Sequence, residues 1–87
     1  MPRIAVINRL GLHARAAAKL VTLCKRYDSD IYFTRNQRRV NGKSIMGVMM
    51  LAAACGSSVE VEIIGQDAQD LLDALNELFT NRFGEGA

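Results

Sequence analysis

His13 is the only histidine in the chain, and it stands in the string GLHARAAA, two residues before Arg15 and directly before an alanine run. A neutral imidazole is a nitrogen nucleophile, and a guanidinium nearby can grip two oxygens of a phosphoryl group with its planar fork. If the alanine run opens a helix, its first backbone N–H groups lack intrahelical partners, and the summed peptide dipole adds roughly half a positive charge there. A phosphoryl group carried on the ring would lie over those donors. One histidine near a helix start is more often a cap or a solvated side chain, so the pair alone assigns no function.

The elements that must position this pair follow from hydrophobic period. RIAVI, residues 3 to 7, is rich in β-branched residues and predicts a strand ending at Asn8. From Ala14 to about Tyr27, Ala17, Leu20, Val21 and Cys24 recur at helical spacing, with Lys19, Lys25 and Arg26 elsewhere on the wheel. DIYFTR alternates Ile31 and Phe33 with Tyr32 and Thr34, the period of a strand with one wet face. Asn36-Gln37 and the short RRV segment predict a hairpin. The turn lacks the Asn-Gly pair of two-residue loops, so a slightly longer connection is expected.

SIMGVMML, residues 44 to 51, is short and apolar. Its methionines and a capping Ser44 favour helix, against about 1 kcal/mol for the internal Gly47. VEVEII, residues 59 to 64, alternates cleanly and predicts a strand. Asp67 is placed to cap a last helix, with Asp70 in its first turn and Leu71, Leu72, Leu75, Leu78 and Phe79 as its apolar stripe, before Gly84 stops it. The order β-α-β-β-α-β-α predicts an α+β fold: a two-layer open-faced sandwich, four antiparallel strands with three helices on one face.

Eighty-seven residues suffice for one domain, 1–87, and 49% apolar content is that of an ordinary globular protein. A net charge of +2 is too small to imply nucleic-acid or membrane binding by field strength. Cys24 and Cys55 are far apart and lack CxxC spacing, which favours free thiols, and too few histidines accompany them for a zinc site. No signal peptide or membrane span is evident, so a cytoplasmic protein is expected. NGKS, residues 41 to 44, is similar to a P-loop ending, but Gln37 occupies the position that motif reserves for glycine, so neither ATP nor any other cofactor is expected.

NRLGLHARAAAKL followed by NGKSIMGVMMLA resembles, over nearly the whole chain, the HPr family of histidine-containing phosphocarriers of the bacterial phosphotransferase system. The resemblance implies that His13 is phosphorylated at Nδ1 by enzyme I, drawing on phosphoenolpyruvate, and passes the group to EIIA proteins, with Arg15 as phosphate partner. It implies a regulatory role for Ser44 as the target of an HPr kinase/phosphorylase. One departure stands out: the family commonly has proline after the arginine, and this chain has Ala16. A small residue there is similar to the nitrogen-related or proteobacterial branch.

An eight-residue helix cannot bury every side of IMGVMML, so Ile45, Met46 and Met49, with Leu12 and Ala16 beside the histidine, are expected to form a docking patch. Arg35, Arg38, Arg39 and Lys43 are most simply a solvated hairpin edge. The leading expectation is a monomeric carrier. The alternative is a regulatory binding module switched at Ser44 with His13 idle; a nucleic-acid binder using the arginine hairpin is the weakest of the three.

Overall fold

Apolar residues alternate with polar ones along the segments that build the sheet, and the pleat turns Ile4, Ile31, Phe33, Val59 and Val61 to one buried face. The computed structural model describes residues 1–86; Ala87, the last residue of the expected domain, lies outside them. The elements run β1 (Arg3–Ala5), α1 (Ala14–Lys25), β2 (Asp30–Arg35), β3 (Arg38–Asn41), α2 (Ile45–Met50), β4 (Ser58–Ile64) and α3 (Ala68–Thr80), with a closing 3-10 turn at Arg82–Gly84. All pairings are antiparallel in the order β1-β4-β2-β3.

The helices cover the apolar face. Leu20, Val21 and Cys24 of α1, Val48 of α2, and Leu71, Leu75 and Phe79 of α3 join the strand residues in one core. Burial pushes the Cys24 thiol up to about 12, whereas Cys55 is exposed. The open face of the sheet carries polar pairs instead, Arg3 with Glu60 at 3.1 Å and Arg39 with Glu62 at 2.9 Å. The Arg39 guanidinium lies 3.7 Å above the Tyr32 ring centre.

Several expectations from sequence need correction. Regular pairing of β1 stops at Ala5, because opposite Val6 the chain is already turning; Val6 still donates to Ser57 O and accepts from Gly56 N, both at 2.8 Å. The first helix ends at Lys25, and its last turn tightens through Arg26 N to Leu23 O and Tyr27 N to Cys24 O. The hairpin has a two-residue loop after all: Arg35 pairs with Arg38, and Asn36 and Gln37 take left-handed φ of 50° and 66°. Gln37 accepts that conformation at roughly 1–2 kcal/mol without glycine.

The hairpin arginines are more than a solvated edge. Arg35 donates to Leu51 O at 3.0 Å and Arg38 to Met50 O at 3.4 Å, so they satisfy carbonyls at the end of α2 and hold that helix on the sheet. Lys43 donates to Tyr27 O at 2.8 Å.

Asp67 precedes α3 as expected, but its carboxylate does not cap that helix. It accepts instead from the backbone N–H of Asp28 and Ser29, each at 2.9 Å, and from the Ser29 hydroxyl, clasping the loop between α1 and β2. These donors, the hydroxyl foremost, hold the carboxyl below its ordinary 3.8. Because the folded value is lowered, the clasp contributes fully above the unfolded carboxyl range and is lost as pH falls through the folded value. The difference in urea midpoint between wild type and Asp67→Ala should therefore be widest at pH 7 and close as pH drops below about 4.

Candidate functional site

The loop between β1 and α1 is pinned from both sides. Asn8 is fully buried; its side-chain amide N–H donates to Gly11 O at 2.7 Å, and its backbone carbonyl accepts from Gly11 N at 3.1 Å. Gly11, at φ 65°, turns the chain against the segment that follows α2, and Leu12 N donates to Ala53 O at 2.9 Å. That bond joins the histidine segment to the segment carrying α2. Ser44 stands at the opposite end of α2 from this junction.

His13 then occupies the N-cap of α1, with φ −71° and ψ 177°. Its carbonyl accepts from Ala17 N at 2.8 Å, but its side chain makes no cap bond. The imidazole is about a third exposed, at 29%. The first turn of α1 contains no acidic residue, so nothing on the helix itself competes with an anion for its N–H groups. Arg15 is exposed in that turn, and no ion pair among the described residues uses it. The helix thus starts where the alanine run predicts, with His13 at its N-cap and Arg15 in its first turn.

Leu12 and Ala16 do not offer the contact surface expected of them. Both are buried, Leu12 as a plug beneath the loop and Ala16 on the core face of α1 beside Ala17 and Leu20. Helical spacing explains this: Ala16 shares a face with Leu20, whereas Arg15 points away from it. Burial also gives the alanine in this position a packing role.

Ser44 caps α2, its hydroxyl accepting from Gly47 N at 3.1 Å. The short helix buries only Val48, leaving Ile45, Met46, Met49 and also Met50 exposed, Met46 most of all at 73%. Leu10, in the histidine loop, is another exposed apolar side chain.

A further residue at the site went unread in the sequence. The α3 stripe continues in spacing from Leu71, Leu75 and Phe79 to Phe83, but the helix ends at Thr80, and Arg82 and Phe83 adopt left-handed φ of 53° and 56°. The turn buries Phe83 edge-on to Phe79, with ring centres 4.8 Å apart, and Lys19 donates to Phe83 O at 2.6 Å. Two residues on, Glu85 reaches His13: Oε2 lies 2.5 Å from Nε2, and Oε1 accepts from Asn8 Nδ2 at 3.1 Å. The His13 contact first, then Asn8, holds the Glu85 carboxyl below its ordinary range. The apolar Phe83 beyond the helix end was the available signal that the tail folds back.

Residues 2–81 match the family model described as the PTS HPr component phosphorylation site. The chain belongs to the HPr family. Among its relatives, the phosphocarrier protein HPr of Cupriavidus necator is 57% identical over 81 residues, covering 93% of this chain and 91% of that protein. The HPr of Neisseria meningitidis serogroup A is 49% identical, covering 95% and 93%. Of solved structures, HPr-C-His from Thermoanaerobacter tengcongensis superposes with a TM-score of 0.94 at 36% identity, covering 99% of this chain and 97% of that one. An HPr from Bacillus anthracis gives 0.86 at 38% identity, covering 90% and 93%. HPr membership makes the chain a phosphocarrier component of the phosphotransferase system, not a classical enzyme, and agrees with the open-faced α+β sheet.

Proposed function

We propose that His13 Nδ1 accepts a phosphoryl group from phospho-enzyme I, charged by phosphoenolpyruvate, and passes it to EIIA-type proteins. The observation that carries this reading is the half-buried imidazole at the N-cap of α1, beside an Arg15 that no ion pair among the described residues uses and a first turn free of acidic residues. In the accepting step the Nδ1 lone pair forms a bond to phosphorus while the donor's bond to phosphorus breaks, its electron pair leaving with the donor. Delivery is the reverse, with the pair returning to Nδ1. Arg15 and the open N–H groups of α1 hold the phosphoryl oxygens, which confines the role of the protein to positioning and charge.

The exposed Ile45, Met46 and Met49 of α2 are the proposed docking surface, methionine adapting to successive partners. Ser44 is the proposed target of an HPr kinase/phosphorylase. Its hydroxyl is already turned toward the first N–H groups of α2, where a phosphate would find donors, and its charge would oppose partners at the neighbouring apolar surface.

The test is labelling with both donors. Phosphoenolpyruvate and enzyme I should place an acid-labile, base-stable phosphate on the peptide containing His13. ATP and an HPr kinase should place an acid-stable one on the peptide containing Ser44. No label from an enzyme I that charges another HPr would sink the carrier reading; failure of the second arm alone would remove only Ser44.

A further inference from the structure

The tail delivers a carboxylate to the imidazole, and the way that carboxylate is held decides which ring nitrogen is free. Asn8 Nδ2 donates to two acceptors, Gly11 O at 2.7 Å and Glu85 Oε1 at 3.1 Å, while Asn8 Oδ1 is buried with no hydrogen-bond partner among the described residues. Turning the amide over would set oxygen against oxygen, so Asn8 can only donate to residue 85. The second Glu85 oxygen then faces His13 Nε2 at 2.5 Å. An ionised carboxylate can only accept, so Nε2 carries the hydrogen of the neutral ring and Nδ1 keeps its lone pair. The tail is not loosely placed: Phe83 is buried, and Lys19 Nζ holds its carbonyl at 2.6 Å.

We propose that Glu85 is a positioning residue for phosphoryl transfer, fixing His13 as the Nε2–H tautomer and balancing the positive charge the ring acquires as Nδ1 bonds phosphorus. The inference rests on His13 Nδ1 being the acceptor. As the N–P bond forms and the donor's bond to phosphorus breaks, the ring, still bearing its hydrogen on Nε2, becomes an N-phosphorylated imidazolium beside a carboxylate. No proton moves in this step. The arrangement follows the logic by which a buried aspartate orients and stabilises the histidine of hydrolytic triads.

Glu85→Ala and Glu85→Gln separate this role from a structural one. In Glu85→Gln the side-chain carbonyl must turn to Asn8, which can only donate, and the Gln NH₂ then faces Nε2 and drives the hydrogen to Nδ1. The readouts are the ¹⁵N shifts of the His13 ring in alkaline buffer, the initial rate of labelling by enzyme I and phosphoenolpyruvate, and the thermal midpoint as a check on folding. Wild type should show the Nε2–H tautomer. Glu85→Ala should show a mixture and label about tenfold more slowly. Glu85→Gln should show Nδ1–H and label about a hundredfold more slowly.

A tail with a merely structural role would make alanine the more damaging change, not glutamine. Wild-type ring shifts and rates in both variants, or a milder effect of glutamine than of alanine, would overturn the proposal. Absence of label on wild type would instead fault the carrier reading, and the ring shifts would still decide whether Glu85 sets the tautomer.

Discussion

Replacing Phe83 with alanine is expected to destabilise the fold by about 3–5 kcal/mol and to release Glu85 from His13. Phe83 is buried at the end of the α3 stripe and stacks edge-on against Phe79. Its backbone, like that of Arg82, is left-handed, a conformation that roughly 1–2 kcal/mol per residue disfavours for a side chain with Cβ. Burial of the ring is what sustains this turn. Without it, alanine meets the same backbone penalty with most of the apolar area gone, and the 3-10 turn should open. Urea unfolding reports the global loss. Hydrogen exchange at Gly84 and Glu85, whose N–H groups bond Asn81 O and Arg82 O, reports the local one. Fast exchange there with an unchanged urea midpoint would mean that the tail frays independently of the core. Phe83→Leu, which keeps apolar volume, should recover most of both.

Residues whose meaning is local are legible in the sequence. VEVEII alternates over a length that only a half-buried strand explains, and α1 and α2 begin where His13 and Ser44 predicted. Residues whose partners are distant were not. Asp67 carries every mark of a helix cap, yet its carboxylate goes to Asp28 and Ser29, nearly forty positions away in the chain, because three donors there outcompete the N–H groups of α3. Ala16, placed in the docking patch as a residue beside the histidine, is core instead, because one residue along a helix is a turn of about 100°, enough to exchange the solvent face of Arg15 for the buried one.

The hairpin failed for a related reason. Turn preferences describe what is cheapest in isolation, and the pairing of β2 with β3 and the two arginines bonded to the end of α2 override them at Gln37. At the site, the half built from consecutive residues, His13 and Arg15, was visible in one string. The half assembled by folding brings Glu85 to His13 and Asn8, 72 and 77 positions away, and Lys19 to Phe83, 64 positions away, and left only the apolar Phe83 as a trace.

Gly11→Ala should be comparably damaging by a different route, because it acts on the loop rather than on the core. A Cβ at Gly11 would lie 2.5 Å from Ala53 O and 2.9 Å from Ala54 Cα, and the residue sits at φ 65°. Both obstacles are backbone, so neither can rotate aside as a side-chain tip would. The left-handed conformation disfavours alanine by roughly 1–2 kcal/mol and the overlap by about 1–3, for a total of about 2–5 kcal/mol if the loop stays in place. The chain can relieve the overlap only by lifting from the Ala53 segment, which breaks the Leu12 N to Ala53 O bond and loosens both bonds between Asn8 and Gly11. That movement carries His13 with it, since only Leu12 separates them. Urea unfolding and the labelling rate should therefore fall together in Gly11→Ala, whereas in Phe83→Leu both should stay near wild type. A variant with the full stability loss but wild-type labelling would show that the N-cap of α1 holds the ring without help from the loop, and that the junction at Ala53 serves the fold alone.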